Sequence, residues 1–208
     1  MITLYRHPLS GHAHRVELML SLLKLDYTLV DVDLLKGEHK YPEFIEKNPF
    51  GQVPVIEDGE VTLWDSNAIL IYLARTYGNG AWLPLNPIDE ARVTPWLSIA
   101  AGKIAFGPAA ARLVTVFGAG LDHETAKTTA YALFDVMEKV LAGTAFLAGT
   151  NATIADVAGY SYIAHAPEGD VSLDAYPNIR AWIARVEALD GFVPMQETKA
   201  GLLAALYP

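Results

Sequence analysis

The sequence predicts an α/β fold class, in which an N-terminal domain with the order βαβαββα is followed by an all-α helical bundle. Residues 1–78 alternate short β-like runs with amphipathic helical runs. Residues 79–87 are rich in Gly, Asn and Pro, which is typical of a linker. Residues 88–208 place Ala and Leu at helical spacing without strand signals, which predicts about five helices.

The first four elements follow from the spacing of apolar residues. An apolar run at residues 2–5 predicts a strand, and the helical spacing over 11–24 predicts a helix. Alternation over 27–34 predicts a second strand, and 42–48 open with proline, as short helices do. Because a βαβ crossover is right-handed, the first two strands are expected to pair in parallel.

A hairpin and a helix complete the first half. Two β-like runs, 54–57 and 61–64, flank an Asp-Gly turn pair, which predicts an antiparallel hairpin. An apolar helical run follows Ser66, and Gly78 ends it.

In the second half, residues 88–143 show helical spacing throughout. Thr153 and Asp156 have the spacing of a capping box before another apolar helical run. A last helix is predicted after Pro177. We assign Thr153 and Asp156 to folding rather than to chemistry.

Charge and composition exclude several classes of function. The 208 residues include 24 acidic and 15 basic side chains, and the net charge of −9 is spread over both halves. A basic surface for nucleic acid or for an anionic membrane is therefore not expected. The chain has no cysteine, which excludes disulfides, cysteine-bound metals and a protein thiol as nucleophile.

The start of the chain lacks the charged and apolar pattern of a secretion signal. The most membrane-like window, residues 97–117, contains Lys103, Arg112, Gly107 and Pro108. A spanning helix prefers about 20 nearly uncharged residues, so this window predicts a helix buried in the protein. We expect a cytoplasmic protein without a membrane partner.

Two positions in the first half suit ligand binding as well as structure. Ser10 precedes a predicted helix, where unpaired N–H groups favour negative charge, although a serine there is also an ordinary N-cap. Pro54 begins a predicted strand. A cis bond after Val53 would leave its backbone free for an extended ligand, but a trans proline is the more common structure.

Two further pairs of residues could bind charged groups of a ligand or could have an ordinary structural role. Asp65 and Ser66 open a predicted helix and could hold an ammonium and a carboxylate, or could simply cap the helix. His39 and Lys40 are cations that could meet a second carboxylate, or could lie on a solvated loop.

Taken in order, three segments resemble the soluble glutathione transferases. They are HPLS at 7–10 with Arg-Val at 15–16, GEHKYPEFIEKNPFGQVPVIEDG at 37–59, and DSNAILIYLA at 65–74. The resemblance covers essentially the whole chain and is nearest to the serine-type theta and phi enzymes and their bacterial relatives. It implies a thioredoxin-like first domain and an all-α second domain. Two residues depart from the family pattern: His12 replaces a small residue, and Asp65 stands where many members have Glu.

The resemblance also implies roles for individual residues. Ser10 would donate a hydrogen bond to the glutathione sulfur, and Val53, before a cis Pro54, would pair with the cysteinyl backbone. Asp65 and Ser66 would hold the γ-glutamyl ammonium and carboxylate. His39, Lys40 and Gln52 would reach the rest of the tripeptide. Glutathione would be a co-substrate, and no metal is expected.

One serine is sufficient for this chemistry. Lowering a thiol pKa of about 8.5 by two units requires about 2.7 kcal/mol. A hydrogen bond to a charged group contributes about 1.5–3 kcal/mol, and a helix N-terminus adds about 0.3–1 kcal/mol. A protonated His12 is the rival stabiliser, unless it is merely an exposed residue of the first helical turn.

The family's geometry suggests an apolar wall for the electrophile, although core packing explains Phe106 and Leu113 equally well and His165 could lie on the surface. The candidates are Leu9, His12, Phe106, Ala109, Leu113, Tyr162 and His165. Phe50 matches the aromatic residue that some members insert into a partner subunit, which predicts a homodimer.

The leading hypothesis is therefore a glutathione transferase that joins the glutathione thiolate to a small hydrophobic electrophile. A glutathione-dependent reductase of disulfides or peroxides is the second hypothesis. A non-catalytic binding or regulatory protein is the third, and the presence of Ser10, Val53, Asp65 and Ser66 together argues against it.

Overall fold

A computed structural model describes residues 1–198. The first half contains a four-stranded sheet in the order β2-β1-β3-β4, in which β1 and β2 are parallel and the other neighbours are antiparallel. The strands are β1 (Ile2–Arg6), β2 (Tyr27–Asp31), β3 (Val55–Asp58) and β4 (Val61–Trp64). The helices of this half are α1 (Gly11–Leu22), α2 (Pro42–Ile45) and α3 (Ser66–Tyr77). The predicted order βαβαββα is confirmed.

Three elements end earlier than predicted. Strand β2 ends at Asp31 because its partner β1 ends at Arg6, so only one further bond forms, from Val32 N–H to the Arg6 carbonyl at 2.7 Å. Helix α1 ends at Leu22, before Lys24 adopts a left-handed φ of 55°. Helix α2 is a single turn that ends at Ile45.

The second half, as far as it is described, is helical. Its helices are α4 (Pro87–Ile99), α5 (Ala110–Phe117), α6 (His123–Leu141), α7 (Ile154–Ala164) and α8 (Pro177–Glu187). The boundaries predicted for the linker at 79–87 and the domain at 88–208 stay a prediction. Residues 199–208 of that domain lie outside the described part of the chain.

Helices α4 and α5 are joined by a π-helical stretch, Ala100–Ala109. The continuous helical segment Pro87–Phe117 is long and apolar enough to cross a membrane by length and composition, but half of its most apolar window is buried inside the protein. Gly107 has non-helical φ and ψ angles, and a Cβ there would lie 3.0 Å from the Ala130 backbone nitrogen of α6. The close packing of the π-helical stretch against α6 therefore depends on the absence of a side chain at Gly107.

The two halves share one apolar core. Leu4 and Leu70 of the first half belong to the same buried cluster as Phe134 and Trp182 of the second. Such a shared core fixes the relative position of the halves, and with it the shape of the cleft between them.

Contacts between α1 and α7 form part of this interface. A Cβ on Gly11 would lie 2.7 Å from Tyr162 Cζ, so the tyrosine ring lies directly against the start of α1. His14 Nδ1 is 2.8 Å from Ser161 Oγ, and its Nε2 is 2.9 Å from the Val193 carbonyl. The second half thus contacts the same helical turn that follows Ser10.

The predicted capping box at the start of α7 is confirmed. Asp156 is fully buried and accepts hydrogen bonds from Thr153 N–H at 2.9 Å, Leu147 N–H at 2.9 Å and Trp182 Nε1 at 2.8 Å. The box therefore joins α7 to the preceding loop and to α8.

Candidate active site

A cavity of about 690 Å³ opens between the two halves. Its walls come from the loop after β1, the segment 39–54, the start of α3, and the helices α5 and α7 with the π-helical stretch. It brings together nearly all the predicted site residues: Leu9, Ser10, His12, His39, Lys40, Gln52, Val53, Pro54, Asp65, Ser66, Ala109, Leu113 and Tyr162.

Ser10 is the N-cap of α1 and lines the cavity. Its Oγ accepts a hydrogen bond from the Ala13 N–H at 3.2 Å. A hydroxyl oxygen that accepts from a helix still has its own hydrogen to donate. The N-cap role and the ligand role are therefore compatible.

His12 is the second residue of α1 and is partly buried, not exposed. Burial, together with the charge of Arg15, lowers the pKa of His12 to about 3. Its ring contacts Tyr162 edge-on at a centroid distance of 5.0 Å. The imidazole is therefore neutral at neutral pH and cannot act there as a cation.

The turn around Pro54 is shaped by backbone contacts. The Val53–Pro54 peptide bond is cis, as the resemblance implied. Asn48 donates from Nδ2 to the Gln52 carbonyl at 2.7 Å and accepts from the Phe50 N–H at 3.0 Å. These bonds hold residues 48–54 as one wall of the cavity.

Asp65 and Ser66 form the start of α3 at the cavity. Asp65 has a left-handed φ of 70° and accepts from the Ala68 N–H at 2.9 Å. A non-glycine residue in this region is strained and is found preferentially at functional sites. Ser66 is buried, and its Oγ is within 3.3 Å of Arg15 Nη1.

The prediction of two cations at residues 39 and 40 holds for only one of them. Burial, with a contribution from Lys40, lowers the pKa of His39 below its ordinary value of 6.5, so His39 is mostly neutral at pH 7. Lys40 is exposed, and its Nζ donates to the carbonyls of Phe50 at 3.2 Å and Gly51 at 3.1 Å.

Two predicted wall residues lie elsewhere. The side chain of Phe106 is 72% exposed and does not line the cavity, although the family's geometry suggested that it would. His165 lines a second cavity and bonds from Nδ1 to Glu168 Oε1 at 2.6 Å. Both predictions were wrong.

The sequence reasoning missed two buried arginines that line the cavity, Arg15 and Arg112. Arg112 Nη1 donates to the Leu9 carbonyl at 2.9 Å, and its Nε donates to Glu168 Oε2 at 2.5 Å. Each arginine stands within an apolar helical run, where a buried charge signals a polar partner or a ligand.

Trp64, Asn48 and Phe117 also line the cavity without having been predicted. Asn48 lies in the NPFG segment quoted for the resemblance, which was the available signal for that residue. Among residues 1–198, no three His, Asp or Glu side chains are grouped in a way that could hold a metal ion.

Comparison with known proteins gives a consistent result over both halves. The family model described as glutathione S-transferase, N-terminal domain, matches residues 1–75. The model described as glutathione S-transferase, C-terminal domain, matches residues 119–190. Together these matches cover more than half of the chain.

Similar proteins span nearly the full length. The chain is 33% identical over 190 residues to the probable glutathione S-transferase GSTF2 of Oryza sativa subsp. japonica, covering 86% of this chain and 88% of that protein. It is 33% identical over 215 residues to glutathione S-transferase 3 of Zea mays, covering 97% and 94%. A solved glutathione S-transferase structure from Pseudomonas fluorescens Pf-5 is 35% identical with a TM-score of 0.88, covering 94% of this chain and 99% of that one.

Proposed function

Because the chain belongs to the soluble glutathione S-transferase family, we propose that Ser10 stabilises the thiolate of bound glutathione for attack on a small hydrophobic electrophile. The chain is a glutathione transferase, and its family uses glutathione as a co-substrate. In the proposed reaction the thiol proton leaves to water, and the sulfur forms a bond to an electrophilic carbon. A leaving group departs, or the substrate is protonated after addition.

The observation that carries this proposal is the position of Ser10 at the start of a 12-residue helix inside the cavity. Its oxygen accepts from Ala13, so its hydrogen remains available to a sulfur anion. The helix N-terminus adds a favourable potential for the same charge. With no cysteine in the chain, the only thiol in the reaction is that of the tripeptide.

The charge state of His12 supports Ser10 over the rival assignment. With a pKa of about 3, His12 carries no positive charge at the pH at which a glutathione thiol ionises. It can still act as a neutral hydrogen-bond donor, which is a weaker stabiliser of an anion than an imidazolium.

The remaining assignments concern the rest of the tripeptide. The Val53 backbone would pair with the cysteinyl group, and Asp65 and Ser66 with the γ-glutamyl head. Lys40 would attract the glycine carboxylate, with His39 and Gln52 as uncharged partners. Four apolar or aromatic residues that line the cavity would contact the electrophile: Leu9, Ala109, Leu113 and Tyr162.

We also propose that the protein is a cytoplasmic homodimer with Phe50 in the subunit contact. Phe50 is 62% exposed, and its ring lies 5.1 Å from that of Trp64. A large apolar side chain exposed on the surface is suited to a pocket on a partner.

Ser10→Ala tests the proposed function. We expect the thiol pKa of bound glutathione to rise by about 1–2 units, because one hydrogen bond to the thiolate is lost. The rate of conjugation to a generic aryl halide at pH 6.5 should fall by about 10- to 100-fold. Ultraviolet titration of the bound thiolate and initial rates measure the two effects.

Ser10→Thr is the matched control, since it retains both the hydroxyl and the N-cap, and it should keep most of the activity. An unchanged thiolate titration in Ser10→Ala, with a shifted one in His12→Ala, would contradict the assignment. Turnover of disulfides or peroxides but not of aryl halides by the wild-type protein would favour the reductase hypothesis.

A further inference from the structure

Arg15 is a fully buried cation at the wall of the cavity. Its Nε and Nη2 atoms are buried and have no hydrogen-bond partner, and no carboxylate in the described part of the chain forms an ion pair with it. Burial lowers the pKa of Arg15 to about 10, against the attraction of Tyr162 and Asp65, so it stays charged at neutral pH. A buried charge without a counter-charge is costly, which suggests that the counter-charge arrives with a ligand.

Arg15 has two polar contacts, both through Nη1. It lies 2.9 Å from His12 Nδ1 and 3.3 Å from Ser66 Oγ. A guanidinium can only donate, so both of these atoms must accept. The proton of the neutral His12 ring is therefore on Nε2, and the hydrogen of Ser66 is directed away from Arg15.

The Nε2 hydrogen of His12 and the hydroxyl hydrogen of Ser66 are both available to a ligand, because both residues line the cavity. Nε2 of His12 has no hydrogen-bond partner among residues 1–198. Apart from Arg15, the Ser66 hydroxyl has only a long contact of 3.5 Å to His12 Nδ1 in the described part of the chain. Ser66 also begins the 12-residue helix α3. The subsite thus combines donors, a helix N-terminus and an uncompensated positive charge, which together suit a carboxylate.

We propose that Arg15 is a positioning residue that directs the Ser66 hydroxyl and the His12 Nε2–H toward the γ-glutamyl α-carboxylate of glutathione. The negative charge of that carboxylate compensates the buried guanidinium. This proposal rests on the proposed function and adds to it a buried residue of the cavity wall. His12 would give the subsite a side-chain donor where the family pattern has a small residue.

The proposal predicts that the affinity contributed by Arg15 depends on the α-carboxylate of the ligand and not on its ammonium. S-methylated peptides serve as probes, because they remove the charge of the sulfur from the comparison. S-methylglutathione carries both γ-glutamyl charges. The S-methyl 4-aminobutyryl-cysteinylglycine peptide lacks only the α-carboxylate, and the S-methyl glutaryl-cysteinylglycine peptide lacks only the ammonium.

The experiment measures the affinities of the three peptides for wild-type protein and for Arg15→Met by titration calorimetry. Arg15→Met should bind both carboxylate-bearing peptides about 10- to 100-fold more weakly, as expected for a lost interaction with a charged group. It should bind the 4-aminobutyryl peptide within about 2-fold of wild type. Arg92→Met, which removes an exposed arginine from α4, is the control and should change none of the affinities.

Arg15→Lys provides a second variant in case the methionine variant folds poorly, and it should recover part of the affinity because it keeps the charge. Equal losses for all three peptides, or no loss for S-methylglutathione, would show that Arg15 has no specific role toward the carboxylate. A wild-type protein that binds none of the peptides would contradict the proposed function itself, and the role of Arg15 with it.

Discussion

At the scale of single residues, the loop before Ser10 is held by a buried ion pair. Arg112 donates to the Leu9 carbonyl and to Glu168, which also accepts from His165 Nδ1 and from Thr198. Burial alone would raise the pKa of Glu168, but the hydrogen bonds from His165, Thr198 and Arg112 lower it to about 2. Glu168 is thus ionised over the whole working range of pH.

Glu168→Gln should destabilise the protein in a pH-dependent way. We expect the free energy of unfolding at pH 7 to fall by about 2 kcal/mol, because a carboxylate that accepts several hydrogen bonds is replaced by an amide. A lowered folded-state pKa gives stability that is fully present above the unfolded value of about 4.5 and is lost as pH falls toward 2. Urea unfolding of both proteins at pH 7 and pH 3.5 measures this difference.

The difference between wild type and Glu168→Gln should therefore be smaller at pH 3.5 than at pH 7. A difference that stays constant with pH would mean that Glu168 acts through its shape and not through its charge.

At the scale of elements, α7 depends on the capping box that opens it. Asp156 is buried, and it accepts from the backbone of two residues and from the Trp182 ring nitrogen. Helix α7 carries Tyr162, which contacts Gly11 beside Ser10. The box therefore supports the active-site wall without contacting the cavity.

Asp156→Ala should lower the free energy of unfolding by about 3 kcal/mol, since it leaves three donors without their acceptor. Thr153→Ala should cost about 1 kcal/mol, the usual effect of a lost N-cap. Asp122→Ala removes an exposed N-cap of α6 and is the control, with a smaller loss. Urea unfolding measures the effect, and normal stability with abolished activity would instead assign Asp156 to chemistry.

At the scale of the whole molecule, the cavity lies between two halves that share one apolar core. The proposed dimer would involve the same region, since Phe50 lies on the first half and contacts Trp64, which lines the cavity. A partner seated on Phe50 would support the wall formed by residues 48–54.

Phe50→Ala should weaken the homodimer by about 10-fold or more, because a central aromatic anchor contributes about 2 kcal/mol or more to an interface. Analytical ultracentrifugation over a concentration series measures the dissociation constant. Leu35→Ala, another exposed apolar residue of the first half, should leave it unchanged. A dimer unaffected by Phe50→Ala would remove Phe50 from the interface.

The sequence by itself determined the elements and their order, because period-2 and period-3.6 patterns, caps and turn residues act over a few neighbours. It also indicated that the segments around Ser10, Val53 and Ser66 are candidates for ligand binding, since each stands at or near the recognisable start of an element. Ends of elements such as β2 were mispredicted, because a strand ends where its partner ends, and that partner is distant in sequence.

Only the tertiary structure decided which side chains meet in the cavity and in what charge state. Burial makes His12 neutral, Arg15 is buried without a carboxylate partner among residues 1–198, and Phe106 is exposed to solvent. Desolvation and packing depend on every element around a residue, so a local pattern cannot contain them. The sequence therefore determined where the proposed glutathione site begins on each element, and the packing of the two halves determined which donors and charges line the cavity.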